Sequence, residues 1–151
     1  MGKRALDGGN IDGQFCLLPQ ADYLHHANTE IILLFQIESP EGLEQVEAIA
    51  AVPGFDGFLF GPGDFSHRIG KVGQLDAPEV VAARKRVAAA ARKNGKSAMI
   101  PGMLDTRANL EAEGWNIFTV GADVIVVGSG FKQRVEDFAK EPAKAVGKLY
   151  Q

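Results

Sequence analysis

Two apolar runs in this 151-residue chain end at an acidic residue, and a helix-start signal follows each at once. The first runs from Ile31 to Ile37 and stops at Glu38, ahead of Ser39-Pro40-Glu41. The second runs from Gly57 to Gly61 and leads into Pro62-Gly63-Asp64. Near-continuous apolar runs of this kind read as buried strands of a parallel sheet, not as the alternating strands of a half-solvated antiparallel one. Parallel neighbours need a crossover, which a helix supplies. The order strand, acid, helix therefore fixes the class as α/β.

The same alternation continues along the chain. Ser39 is an N-cap, Pro40 takes the first helical position and Glu41 puts an acid in the first turn. Leu43, Val46, Ile49 and Ala50 recur at helical spacing to about Ala51, and Pro53-Gly54 ends the helix. Pro78 to Asn94 is an alanine-rich helix with Val80, Val81, Val87 and Ala91, stopped by Gly95. Lys96 to Ile100 and Ile117 to Val120 read as strands, separated by a helix over Thr106 to Glu113. The apolar run Asp123 to Val127 extends the last unit.

Around this frame, Met1 to Gly13 is glycine-rich and irregular, Phe15 to Pro19 is an apolar patch of open type, and Ala21 to Asn28 is a short helix with Tyr23, Leu24 and Ala27 on one face. Ser66 to Asp76 is polar and glycine-punctuated, the pattern of a mobile loop. Gln133 to Leu149 is an amphipathic tail helix interrupted near Pro142. The expected layout is one domain, with a lead-in over 1–30, βα units over 31–131 and a tail helix over 132–151.

The chemistry is expected where the strands end. In βα proteins the carboxyl ends of neighbouring strands open on one crevice, so Glu38 and Asp64 are placed to share an ion. Two carboxylates without His or Cys favour a hard divalent cation, magnesium or manganese with cobalt as a third candidate, over structural zinc. The N–H groups of Gly63 and Asp64 can receive a small carboxylate, and glycine lets it approach the backbone. Gln36 shares a strand face with Glu38 and reaches the same place. The plain alternatives are a carboxylate favoured at a helix start by about 0.3–1 kcal/mol and a polar residue satisfied within the fold.

Other polar groups have simpler readings. His67 follows the corner as a surface histidine or an acid–base group near pH 6.5, and His25 and His26 are solvated. Cys16 is a small buried hydrophobe, and Lys96 is structural because it begins its strand, opposite the catalytic end. Met99 and Ile100 form an apolar wall at the end of their strand.

The run QIES-x-x-GLE-x-V-x-x-IAAVPG-x-DG-x-x-x-GPGD-x-S, from Gln36 to Ser66, resembles the HpcH/HpaI aldolase and citrate lyase family, in particular its metal-dependent pyruvate aldolases. The likeness continues through Pro78-Glu79-Val80, Asn94-Gly95-Lys96 and Val120-Gly121-Ala122-Asp123 to about Phe131. It implies the second half of a TIM (β/α)8 barrel of the phosphoenolpyruvate/pyruvate type, with Glu38 and Asp64 as metal ligands and Gln36, Gly63 and Asp64 on the substrate. It implies a lyase that joins or splits pyruvate, or another 2-oxo acid, and an aldehyde. The family's proton-moving histidine and substrate arginine belong to the first half. Arg4, His25 and His26 do not match those motifs, so no catalytic base is assigned in this chain. Homo-oligomers with the C-terminal helix on a neighbour are also implied. Two other readings stand beside this one: citryl- or malyl-CoA lyase chemistry, and a non-catalytic half-barrel that binds metal and self-associates through its two open sheet edges.

Composition narrows the partners. A hydrophobic content of 46% is enough for a real core. A net charge of −3 and a pI near 5.6, without a basic block, argue against nucleic acid. Cys16 is the single cysteine, which excludes an intrachain disulfide and suits a reducing cytoplasm. No apolar run reaches the roughly 20 residues of a membrane span.

Overall fold

The computed structural model describes residues 6–140. Four parallel strands, β1 (Leu34–Ile37), β2 (Gly57–Phe60), β3 (Ser97–Pro101) and β4 (Ile117–Thr119), lie side by side in chain order. The helices are α1 (Gln20–Thr29), α2 (Pro40–Glu44), α3 (Val46–Ala50), α4 (Pro62–Arg68), α5 (Pro78–Lys93), α6 (Arg107–Glu113) and α7 (Asp123–Lys140). Each consecutive strand pair is joined through at least one helix, and this makes the unbroken order 1-2-3-4 possible.

Register and alternation sort the sheet into two faces. Phe58, Phe60, Ala98 and Ile100 point to one side and are buried with Val80, Ala83, Val87 and Ala91 of α5, together with Val46 and Ala50 of α3. Trp115 and Leu110 close the β4 end of this core. The row on the opposite side follows the pairings Gln36 with Leu59, Leu59 with Met99, and Met99 with Ile117. There Gln36 is exposed, and Leu59, Met99 and Ile117 are only half-buried. One face of the parallel sheet is thus a finished core and the other is not.

Several boundaries differ from the sequence expectation. The first strand begins at Leu34, because Ile31 to Leu33 are exposed and Leu33 donates its N–H to Asp56 Oδ2 at 2.7 Å instead of to a ladder. The helix expected from Ser39 to Ala51 breaks at Gln45 into α2 and α3. Ile100 is fully buried on the helix side, so only Met99 remains on the open face. Cys16 is exposed, contrary to its expected burial. At the end of α5, Asn94 is followed by Gly95 at φ 65°, a left-handed position where a side chain would be strained.

The largest difference lies at the C-terminal end. Val124 to Val127 form the opening of α7, because Ile125 and Val126 both donate to the Ala122 carbonyl and Asp123 Oδ1 accepts from Val124 N at 2.8 Å. This helix continues through Gly128-Ser129-Gly130 to Lys140. The remainder of the expected tail helix, Pro142 included, lies outside the described residues.

Candidate active site

Glu38 and Gly61 leave adjacent strands side by side. Ile37 pairs with Phe60 as the last rung of the β1–β2 ladder, and Gly61 N donates to Ile37 O at 3.0 Å just beyond it. Gln36 Nε2 donates to Glu38 Oε2 in a short hydrogen bond across the same strand face. A Cβ on Gly61 would sit 2.9 Å from Gln36 Nε2, 2.9 Å from Glu38 Cβ and 3.2 Å from Glu38 Oε2. Glycine is required there by close approach: its φ of −97° is open to any residue, but the space is already taken by the amide and the carboxylate.

From this point α4 begins at once. Pro62 takes the first helical position and Phe65 N bonds Gly61 O at 3.0 Å. Gly61 offers no side chain to cap the first turn, and a Cβ on Gly63 would meet nothing within 4 Å. Gly63 and Asp64 are exposed beside half-buried Glu38. The structure therefore brings Gln36, Glu38 and Gly61 into contact and sets Gly63 and Asp64 in the helical turn that follows. Among the described residues no group of three or more Asp, Glu, His or Cys side chains forms a closed metal nest. Carboxylate oxygens without His or Cys beside them are the donor type that suits a hard cation which keeps positions for water and ligand.

Ser66, the last residue of the GPGD-x-S motif, is fully buried. Its Oγ donates to Gly63 O at 2.7 Å and accepts from Gly73 N at 3.2 Å, while its carbonyl accepts from Lys71 N at 2.7 Å. The segment expected to be a mobile loop from Ser66 thus begins inside α4 and is clasped beneath it. Sequence reasoning quoted this serine without giving it a role. The signal was a hydroxyl at i+3 from the glycine corner.

Electrostatics around the corner follow from local bonding. The Glu41 carboxyl is held below its usual 4.5 by its own backbone N–H first and then by the Ser39 hydroxyl, with a smaller contribution from the Arg68 charge. Ser39 also caps α2 by accepting from Gly42 N at 3.1 Å. His67 and Arg68 are exposed on the last turn of α4.

The remaining chemistry-bearing side chains are structural. Lys96 donates Nζ to Phe55 O at 2.9 Å and lies 3.7 Å from the centroid of the Phe55 ring, a satisfied cation under the start of β3. Arg84 is buried and bonds Glu113 at 2.6 Å and Asp105 at 3.4 Å. His25 and His26 are exposed on α1.

A profile of the HpcH/HpaI aldolase/citrate lyase family matches residues 4–129. The chain belongs to this family. A 5-keto-4-deoxy-D-glucarate aldolase from Klebsiella pneumoniae subsp. pneumoniae is 39% identical over 121 residues, 79% of this chain and 47% of that protein. In solved structures, an HpcH/HpaI aldolase/citrate lyase family protein from Burkholderia cenocepacia aligns with TM-score 0.74 at 30% identity, covering 92% of this chain and 54% of its own. An HpcH/HpaI aldolase from Desulfitobacterium hafniense aligns with TM-score 0.71 at 26% identity, covering 94% and 55%. The chain spans about half the length of the curated relatives it matches. Within the HpcH/HpaI family its parallel βα frame therefore corresponds to half of a barrel, which explains why one sheet face is unfinished.

Proposed function

We propose that this chain carries the metal and substrate corner of a divalent-metal-dependent aldolase-type lyase, which cleaves or forms a carbon–carbon bond between a 2-oxo acid such as pyruvate and an aldehyde. The observation that carries this reading is the contact of Gly61 with Glu38 and Gln36, one turn before Asp64. It sets one carboxylate directly after β1 and a second in the first turn of the helix that follows β2, the arrangement that two ligands of one cation would need.

Glu38 and Asp64 would hold the ion, magnesium, manganese or cobalt, and that ion would supply Lewis-acid polarisation of a keto oxygen. Gln36 fixes the Glu38 carboxylate through its hydrogen bond and presents its amide on the substrate side. The free first-turn amides of Gly63 and Asp64 receive the substrate carboxylate. No catalytic base is assigned at this corner among the described residues. The family's 5-keto-4-deoxy-D-glucarate aldolases make a sugar-diacid substrate the natural class. The single cysteine and the absence, among the described residues, of a helix long and apolar enough to cross a membrane suit a cytoplasmic enzyme.

The test is manganese binding by calorimetry to the wild-type chain and to the Glu38→Ala/Asp64→Ala double variant. Saturable binding lost in the variant supports the site; equal affinity removes it. Deuterium exchange into pyruvate with manganese present then separates a chain that works alone from one that only binds.

A second reading, a half-barrel that binds metal without catalysis and self-associates, is favoured by the half-exposed row of Leu59, Met99 and Ile117. Parallel sheets are stable when both faces are covered. Association would finish the face without adding a proton carrier.

A further inference from the structure

We infer that Ser66 is the positioning residue for Asp64, and that through it the strap from Gly70 to Gly73 is coupled to cation binding at the corner. This inference rests on the reading of Glu38 and Asp64 as ligands of one divalent ion.

The two carboxylates are held in different ways. Glu38 is fixed through its own side chain, which accepts from Gln36 Nε2. Asp64 is exposed, and among the described residues its carboxylate enters no hydrogen bond or ion pair. Its placement is therefore decided by the backbone of the first turn of α4. That turn has few restraints of its own. Gly61 brings no capping side chain, Pro62 brings no N–H, and a Cβ on Gly63 would meet nothing within 4 Å.

Ser66 supplies the restraint. It is fully buried, and its Oγ donates at 2.7 Å to Gly63 O, the carbonyl of the peptide that carries the Asp64 nitrogen. A serine that bonds back to an earlier carbonyl of its own helix is by itself only local structure. The second bond makes the difference. Gly73 N donates to the same Oγ at 3.2 Å. A hydroxyl has one proton, so the three groups form a directed chain from the strap through Ser66 to the Gly63–Asp64 peptide. Lys71 N donates to Ser66 O at 2.7 Å, so side chain and backbone of one residue both carry the strap. Phe65, between Asp64 and Ser66, is buried with its ring 5.5 Å from that of Phe60 in β2, which anchors the core side of the turn.

Such an arrangement couples strap and ion in both directions. An ion that requires Asp64 in the clasped turn stabilises the clasp, and by the same free energy an unclasped turn holds the ion less well.

The experiment pairs manganese calorimetry with hydrogen exchange on the whole chain, so it needs no turnover. In the wild type, saturating manganese is expected to slow exchange at the Gly73 amide about fivefold more than at the Leu110 amide of α6, at the low end of coupling between sites. Ser66→Ala should weaken manganese binding about fivefold and erase that difference. Thr106→Ala is the matched control. It removes the side chain that caps α6 by accepting from Asn109 N at 3.3 Å, at a comparable cost in stability but away from the corner. Its manganese affinity should stay at the wild-type value. A Gly73 amide indifferent to manganese, a Ser66→Ala variant with wild-type affinity, or an equal loss in Thr106→Ala each overturns the role of Ser66 and leaves the metal corner standing. Absence of saturable manganese binding in the wild-type chain overturns both readings together.

Discussion

Gln36 and Glu38 sit two residues apart on the same face of β1, and the amide of the first donates to the carboxylate of the second. Strand alternation alone puts them on one side. Gly61 on the neighbouring strand decides that they can meet, because any Cβ there would press on both. The contact is thus made by three residues at the ends of two strands, and Asp64 lies in the first turn of α4, just past Gly61.

Gly61→Ala should therefore damage the corner more than the fold. The φ at this position suits alanine, so the penalty is the displacement of Gln36 and Glu38. A drop in manganese affinity of about tenfold, or about 1.4 kcal/mol, is expected by calorimetry. The thermal midpoint should move by only a few degrees.

Ser66→Ala tests the clasp beneath the corner. The variant removes the hydroxyl partner of Gly73 N and Gly63 O in a part-buried place, a loss of about 1 kcal/mol because both glycines keep access to water. Urea unfolding should show that loss. Hydrogen exchange should quicken first at Lys71 and Gly73, whose amides bond to Ser66.

How much of this was legible follows from which forces decided each part. The strand ends at Glu38 and Gly61 could be read because apolar runs, Ser39-Pro40 and Gly61-Pro62 are local signals, and local signals survive into the fold. The opening of α7 could not. Val124 to Val127 have strand-like propensity, but Asp123 and the Ala122 carbonyl start a helix there and no described partner strand competes. Cys16 failed for a related reason: burial was inferred from residue type, whereas exposure is set by what packs around it. Ser66 was visible as a motif letter, and its clasp needed the turn at Gly73 that sequence does not display.

Removing Glu113 should be among the most damaging substitutions in the domain. Its Oε1 bonds Arg84 Nη2 at 2.6 Å and its Oε2 accepts from Trp115 Nε1 at 3.2 Å, both from buried side chains. In Glu113→Ala the Arg84 charge keeps only the longer 3.4 Å contact to Asp105. Stripping one partner from a buried pair costs about 3–5 kcal/mol, and the low end applies because Asp105 remains. Denaturant titration at neutral pH measures it. The Arg84→Met/Glu113→Leu double variant, which removes both charges, should recover most of the loss.

Acid should destabilise the chain before base does. The carboxyls of Glu47, through its bond to Arg86, of Glu79, through Lys71, and of Asp105, through Asn109, all lie below their usual values. A carboxylate with a depressed folded-state value contributes stability that is present above the unfolded value and is lost as pH falls through the folded one. Stability should hold from pH 7 down to the ordinary carboxylate range near 4 and decline below it. Melting curves across this range check the sign. Arg86→Ala, which frees Glu47, should flatten part of the decline.

The stripe on α7 predicts how copies of the chain meet. Val124, Val127, Phe131, Val135 and Phe138 recur at spacings of three and four and are 73%, 55%, 67%, 68% and 78% exposed. A helix whose apolar stripe faces water over its whole length gains by covering it, because each large side chain removed from solvent is worth about 1.5–3 kcal/mol. Association through this stripe is a contact separate from the one that would finish the open sheet face. Light scattering should give a mass above the 16.2 kDa of one chain. Phe131→Glu with Phe138→Glu should shift the mass toward that value, because two charges would then have to be buried in the contact. Manganese binding at Glu38 and Asp64 should be unaffected, since neither substitution touches β1, β2 or α4. A wild-type chain that stays monomeric at high micromolar concentration would show that the stripe is covered by something other than a copy of itself.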